Sequence, residues 1–296
     1  MSKSYIDLHM HSLYSDDGEF TPTQLVEMCH EAGVKIMAIA DHNWVKAIEE
    51  AKKKAEELKM EYIPAIEIDC IYKGINLHVL GYGIDYKKMN ELVKEVYIPA
   101  QERNKIEVKR LYDKCCENNI VLDNNCLENY NPDMFASEFF HKEITKHAEN
   151  RDIITSEAWN SSKHFYRQYM SDPKNKLYVK MDDLVPDFET ASKLVRDAGG
   201  LVFIPHIFEY KKNSEMILEF ILKNYKIDGI ECYYTTFTHE QHERLIKLCK
   251  EKNIFISGGC DFHGKNKPDV DIGIGYGNLS IPEEILTNWI GLVRKF

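Results

Sequence analysis

The sequence predicts an α/β fold of barrel-like type. Short apolar runs alternate with amphipathic helical segments, and one run after another ends on a histidine or a carboxylate. A long helical stretch of different texture interrupts the alternation. In such folds functional groups collect at the carboxyl-terminal ends of the strands, so residues far apart in sequence meet at one rim. A length of 296 residues allows one large α/β domain or a barrel with an insertion, and an apolar fraction of 44% supplies a full core.

The first strand is read over Tyr5 to Ser12. Side chains alternate with period two, so His9 and His11 project together while Leu8 and Met10 face the other way. Thr21-Pro22-Thr23-Gln24 opens a helix: Thr21 caps, Pro22 suits the first helical position, and Gln24 completes a capping box. Leu25, Met28, Cys29 and Ala32 then share one stripe, and Gly33 ends the helix. Val34 to Ala40 is a buried-type strand leading to Asp41-His42. A charged helix over about 45–59 precedes the strand Tyr62 to Ile68, which carries Glu67. Lys73-Gly74 turns into a strand over Ile75 to Leu80 that holds His78.

Helical segments dominate from 87 to 190, over about 100–118, 133–149 and 156–170, with Asn- and Asp-rich loops between them. This stretch is read as a helical insertion capping the active site, leaving 1–86 and 191–296 as the barrel domain. The alternation resumes with a helix over about 187–198 that ends at Gly199-Gly200. Strands follow at Leu201 to Pro205, ending at His206, and at Ile227 to Glu231. A helix over about 238–252 leads to the strand Ile254 to Ser257, which delivers Cys260-Asp261-Phe262-His263-Gly264.

Composition narrows the function. A formal charge of −10 argues against a long electropositive track for duplex nucleic acid, while bound divalent cations would still accommodate a small anionic substrate. No run approaches the eighteen or more apolar residues that span a bilayer, and the first residues lack a signal-peptide core, so a cytoplasmic protein without membrane contact is expected. The eight cysteines (Cys29, Cys70, Cys115, Cys116, Cys126, Cys232, Cys249, Cys260) show no CxxC spacing and are read as free thiols. Oligomeric state is not readable.

The recurring ligand-type positions are His9, His11, Asp16, His42, Glu67, His78, His206, Asp261 and His263. Any one strand histidine is more often a hydrogen-bonded core residue. Nine such positions at strand ends point instead to a metal centre. Mixed imidazole and carboxylate donors favour Mn, Fe or Zn over Mg or Ca.

DLHMHS, the following YSDDG, IADHN, AIEI, LHVLGYG, the PH of FIPH, and GCDFHG resemble the successive motifs of the polymerase-and-histidinol-phosphatase (PHP) family. The resemblance covers about 5–83 and 199–277. It implies a distorted seven-stranded (β/α) barrel, two or three divalent transition-metal ions, and hydrolysis of phosphate esters. By position, His9, His11 and Asp261 are implied to hold one metal, Glu67 to bridge it to a second completed by His78 and His206, and Asp16, His42 and His263 to hold a third. Where the family has a single Asp before Gly, this chain has Asp16-Asp17: counting forward from His11 favours Asp16, and counting back from Gly18 favours Asp17. Asp16 is the expectation. Asp41 is read as a residue that orients a histidine, and Glu231, in DGIECY, as a supporting or structural residue.

The implied reaction is in-line attack of metal-bound hydroxide on phosphorus, with Glu67, Asp261 and His263 as catalytic residues and Arg103 and His206 as substrate contacts. No serine or cysteine has a convincing base partner in sequence. An Arg-Pro-His pattern of nucleotide-cleaving relatives, which grips a second phosphate, stands here as Asn131-Pro132-Asp133. Lys142, Arg151, Lys163, His164 and Arg167 are spare cations, read mainly as a solvated face, and His239 and His242 as bland surface residues. Tyr233-Tyr234 are read as packing.

The function expected is a metal-dependent phosphoesterase acting on a small phosphorylated metabolite or nucleotide, with the motifs closer to the nucleotide-type branch. The alternatives are a cyclic-phosphate phosphodiesterase, a short-oligonucleotide exonuclease and, from another class, a non-catalytic metal-binding regulatory module.

Overall fold

A computed structural model describes residues 4–293. The chain divides into two compact units, one running to Val96 and resuming at Pro186, the other Tyr97–Val185. The first unit holds every strand. In chain order it contains β1 (Ile6–Asp7), α1 (Pro22–Ala32), β2 (Ile36–Met37), α2 (Ile48–Glu57), β3 (Glu61–Tyr62), β4 (Ala65–Tyr72), β5 (Ile75–Tyr82) and α3 (Tyr86–Val96). The second unit contributes α4 (Ala100–Glu117), α5 (Ala136–Thr145), α6 (Ser156–Trp159) and α7 (Ser162–Phe165). The first unit then resumes with α8 (Phe188–Asp197), β6 (Leu201–Ile204), α9 (Ser214–Asn224), β7 (Gly229–Tyr234), α10 (His239–Lys252) and β8 (Phe255–Gly259).

The α/β class is the one expected. The strands form a parallel three-stranded sheet, β1-β2-β3, and a five-stranded sheet, β4-β5-β6-β7-β8. In the second sheet β5 runs antiparallel to both β4 and β6, while β6, β7 and β8 are parallel. No ladder closes on itself among the described residues. Pro64 lies between β3 and β4; it has no N–H to donate, and the ladder is interrupted there.

Backbone hydrogen bonds cross from one sheet to the other at two places. On one side Leu8 N donates to Gly258 O (3.2 Å), Asp261 N to His9 O (2.7 Å) and His11 N to Phe262 O (3.0 Å). On the other, Glu67 N donates to Asp41 O (3.1 Å) and Asn43 N to Glu67 O (2.8 Å). These bonds put His9 and His11 beside Asp261, and His42 beside Glu67. The strand read over Tyr5 to Ser12 is therefore regular only over Ile6–Asp7, yet its later residues are still laced to both neighbours.

Gly259 makes that approach possible. A Cβ there would lie 2.4 Å from the backbone N of His9. Gly259→Ala is expected to push the two segments apart, costing ~3 kcal/mol by the overpacking rule. Urea denaturation checks it, and a wild-type midpoint would show that the approach is not tight.

The helix starts behave locally as read. Gln24 N donates to Thr21 Oγ1 (3.1 Å) while Thr21 N donates to Gln24 Oε1 (2.9 Å), closing the capping box, and Gly33 ends α1 at φ 85°. The units divide at 96/97 and 185/186, against the expected 86/87 and 190/191. α3 groups with the first unit because its apolar face, Met89 and Val93, is fully buried and the helix packs on α8. α9 was not read in the sequence at all, and the helix read over 156–170 is broken into α6, α7 and a π-turn at Tyr166–Met170. The second unit has a hydrophobic core of its own, in which Leu111, Ala136, Phe140, Ala158 and Phe165 are fully buried. No helix among the described residues is long and apolar enough to cross a membrane.

Candidate metal centre

Glu67 sits at the middle of the site. It is carried on β4 and is 1% exposed, within a ring of five imidazoles. Its Oε1 lies 2.8 Å from His206 Nε2 and 2.9 Å from His78 Nδ1. Its Oε2 lies 3.2 Å from both His9 Nε2 and His11 Nε2, and 3.6 Å from His42 Nδ1. The segment after β8 brings Asp261, whose Oδ1 is 3.2 Å from His11 Nε2 and 3.6 Å from His9 Nε2. His263 stacks on His11 with ring centroids 4.1 Å apart.

Ligand atoms converge in five overlapping groups: His9, His11 and Glu67; Glu67, His78 and His206; His9, His206 and Asp261; His42, Asp69 and His78; and His11, Asp17, His42 and His263. Eight of the nine expected positions thus meet in one place. The ninth does not: Asp17, not Asp16, enters the group, with Oδ2 3.0 Å from His263 Nε2 and 3.8 Å from His42 Nε2. Asp16 is exposed. The turn explains the choice, because Gly18 packs against the Ser12 carbonyl so closely that a Cβ would lie 1.9 Å from it, and the residue just before Gly18 is the one turned inward.

The residues around the site fit a cation. The His263 Nδ1 can only donate to the carbonyl of Asp261 (2.9 Å), and the His9 Nδ1 is 2.9 Å from Glu231 Oε1. The His11 Nδ1 lies 3.1 Å from Ser15 Oγ, whose own proton goes to Asp41 Oδ1 (3.2 Å). Each Nδ1 therefore carries a hydrogen, which leaves Nε2, facing carboxylate oxygens, as the nitrogen that would give up its proton to a metal. Lone pair against carboxylate is repulsive unless a proton or a metal ion lies between them. His11 Nε2 and Asp261 Oδ1 are both buried without a hydrogen-bond partner, as a metal site requires of its donors.

Electrostatics agree. Burial opposes charge on Glu67, yet His78, His9 and His42 hold its carboxyl well below the usual range. Burial opposes ionisation of Asp261 too, and His9 and Lys267 outweigh it. Burial likewise opposes charge on Asp17, but His263, His11 and His42 draw its carboxyl down to about 2. His42 is penalised by burial and then raised to about 10 by Asp69 and Glu67. The centre is thus a pool of ionised carboxylates whose partners are protonated imidazoles such as His9, His42 and His78, and bound cations would displace those protons.

Four supporting residues escaped the sequence reading. Asp69, two residues after Glu67 and so on the same strand face, places Oδ1 3.0 Å from His42 Nδ1 and 3.4 Å from His78 Nε2. Period-two counting from Glu67 could have found it. Ser15 links Asp41 to His11, and Lys267 pairs with Asp261. Tyr234, read as packing, donates from Oη to Asp261 Oδ2 at 2.7 Å. Glu231 spans two histidines, since its Oε2 also accepts from the backbone N of His206 (2.8 Å). Arg103 lies on α4 in the other unit, where its charge acts on Glu107 and Tyr166. Of the spare cations, Arg151 lies over the Trp159 ring, 4.8 Å from its centroid.

The family model described as the PHP domain matches residues 7–180, more than half of the chain. The chain belongs to the PHP domain family. A 5'-3' exoribonuclease of Haemophilus influenzae is 28% identical to it over 283 residues, covering 92% of this chain and 97% of the relative. A phosphoribosyl 1,2-cyclic phosphate 1,2-diphosphodiesterase of Eggerthella lenta is 27% identical, covering 88% and 94%. A 3',5'-nucleoside bisphosphate phosphatase of Chromobacterium violaceum is 22% identical, covering 90% of each chain. Among solved structures, an amidohydrolase of Chromobacterium violaceum with bound sulfate and no metal shares the fold at TM-score 0.68 and 21% identity, covering 98% of this chain and 96% of that one. PHP membership, with relatives that share nearly the full length, makes this chain a metal-dependent phosphoesterase.

Proposed function

We propose that this PHP protein hydrolyses a small phosphorylated metabolite or nucleotide at a centre of two or three Mn, Fe or Zn ions. The observation that carries the reading is Glu67, buried among five imidazoles with both oxygens engaged, as a bridge between two cations would be. His9, His11, Asp261 and Glu67 would hold one ion; Glu67, His78 and His206 a second; Asp17, His42 and His263 a third. Bound there, the ions neutralise phosphate charge and lower the pKa of water towards neutrality. The chain's own contribution is orientation: Glu231 fixes His9, the Ser15–Asp41 pair fixes His11, and the Asp261 carbonyl fixes His263, each by taking the Nδ1 hydrogen. The part-exposed His42 and His78 form the accessible side, where a phosphate would enter, with His206 buried beside them.

The backbone bonds at both gaps between the sheets support a distorted seven-stranded barrel, with β3 and β4 counted as one strand broken at Pro64. Arg103, on α4, remains a proposed substrate contact. Free cysteines throughout, seven of them buried, fit a reducing cytoplasm. A cyclic-phosphate diesterase is the second reading, favoured by Asn131-Pro132-Asp133 in place of an Arg-Pro-His.

A phosphate-release screen with Mn added separates these readings. Mononucleotides, 3',5'-bisphosphates, sugar phosphates, cyclic phosphates and short oligonucleotides form the panel, with His9→Ala as the control. Turnover of a small monoester is expected. Turnover confined to cyclic compounds moves the protein to the second reading, and turnover of none by a metal-loaded enzyme contradicts both.

A further inference from the structure

Asp261 presents its two oxygens to opposite environments. Its backbone sits at φ 57°, a left-handed conformation that is costly for aspartate, and its N–H is tied to His9 O at 2.7 Å. Side-chain Oδ1 is buried, has no hydrogen-bond partner, and faces His11 Nε2 at 3.2 Å and His263 Nδ1 at 3.3 Å. Side-chain Oδ2 accepts from Tyr234 Oη at 2.7 Å and also from the ammonium of Lys267. A carboxylate oxygen has two lone pairs, so two donors saturate it. Oδ2 has none left to offer a metal.

Resting on the phosphoesterase reading, we propose that Tyr234 and Lys267 are a positioning clamp that commits Asp261 to ligation through Oδ1 alone. The clamp has two parts with different effects. Tyr234, on β7, is 4% exposed and sets the direction of the carboxylate from inside the unit. Lys267 reaches back across the loop after His263 and adds a full positive charge beside the ligand. That charge draws electron density from Asp261, so the ion at Oδ1 is less neutralised by its ligand and attracts phosphate oxygens more strongly. Without the clamp the carboxylate would turn and offer both oxygens, crowding the position that a substrate oxygen needs.

The test uses the full chain, stripped of metal and titrated with Co(II), whose visible spectrum reports ligand number and geometry. Lys267→Met and Tyr234→Phe are expected to shift the Co(II) spectrum and to change Co(II) affinity by about 10–100-fold. With Mn, kcat is expected to fall more than KM changes. Lys267→Arg, which keeps the charge, is expected to return the spectrum towards wild type. Tyr234→Phe removes one oxygen only, and a thermal melt of each variant separates loss of fold from loss of clamp. Unaltered spectra and affinities in both variants overturn the clamp while wild-type Co(II) binding leaves the phosphoesterase reading standing. If the wild-type chain takes up no Co(II), both are overturned.

Discussion

Glu67→Gln is expected to remove at least one metal ion per chain and to lower kcat/KM by at least about 10³-fold, or ~4 kcal/mol of transition-state stabilisation. The substitution keeps the size and shape of the side chain while deleting the charge that two cations would share. An amide offers one oxygen, and its NH₂ would face donor nitrogens of His78 and His206, now 2.9 and 2.8 Å from the carboxylate. The loss should therefore appear in metal content as well as in rate. Circular dichroism should stay unchanged, because β4 is held by its ladder to β5 along its whole length, from Ala65↔Tyr82 to Tyr72↔Ile75. A Glu67→Gln protein that keeps its metals and its turnover would remove the bridge from the account.

The second large effect separates two neighbouring aspartates. Asp17→Asn is expected to empty the site shared with His42 and His263 and to cost on the order of 10²-fold in turnover, whereas Asp16→Asn should stay within about 2-fold. The Asp17 carboxyl, drawn down to about 2 by the neighbouring imidazoles, is ionised throughout the range where the enzyme would work. Metal analysis beside steady-state kinetics decides it. The reverse pattern would restore the expectation read from the His11 spacing.

That contrast shows where sequence reading stopped. Eight of the nine expected positions converge around Glu67, and they are legible because each ends, follows or lies within an apolar run that the fold carries to one place. The Asp16-Asp17 choice depends on how a tight turn is rotated. Nothing in residue spacing states that Gly18 is pressed onto the Ser12 carbonyl. Asp69 is open to the same alternation that pairs His9 with His11, since it lies two residues after Glu67 on β4. Lys267 carried no such signal: it lies on an irregular loop, and its contact with Asp261 arises only once the chain turns back past His263.

The helical stretch was legible as a change of texture, but its edges were not. The pattern around 86–96 is amphipathic and charged, like the helices that follow it. Only packing assigns α3 to the strand-bearing unit, through buried Met89 and Val93. β1 was read longer than its regular part because apolar alternation continues to Met10, whereas the ladder gives way to single bridges such as Met10↔Phe262. The side-chain directions needed for His9 and His11 survive that change, so the functional reading did not depend on it.

Metal content of the wild-type chain tests the account most directly. The protein should be purified, stripped, reloaded separately with Mn, Fe and Zn, dialysed and measured by inductively coupled plasma mass spectrometry. The account predicts about two to three ions per chain with at least one of these metals. Less than one ion per chain with every metal, in a folded protein, would contradict it.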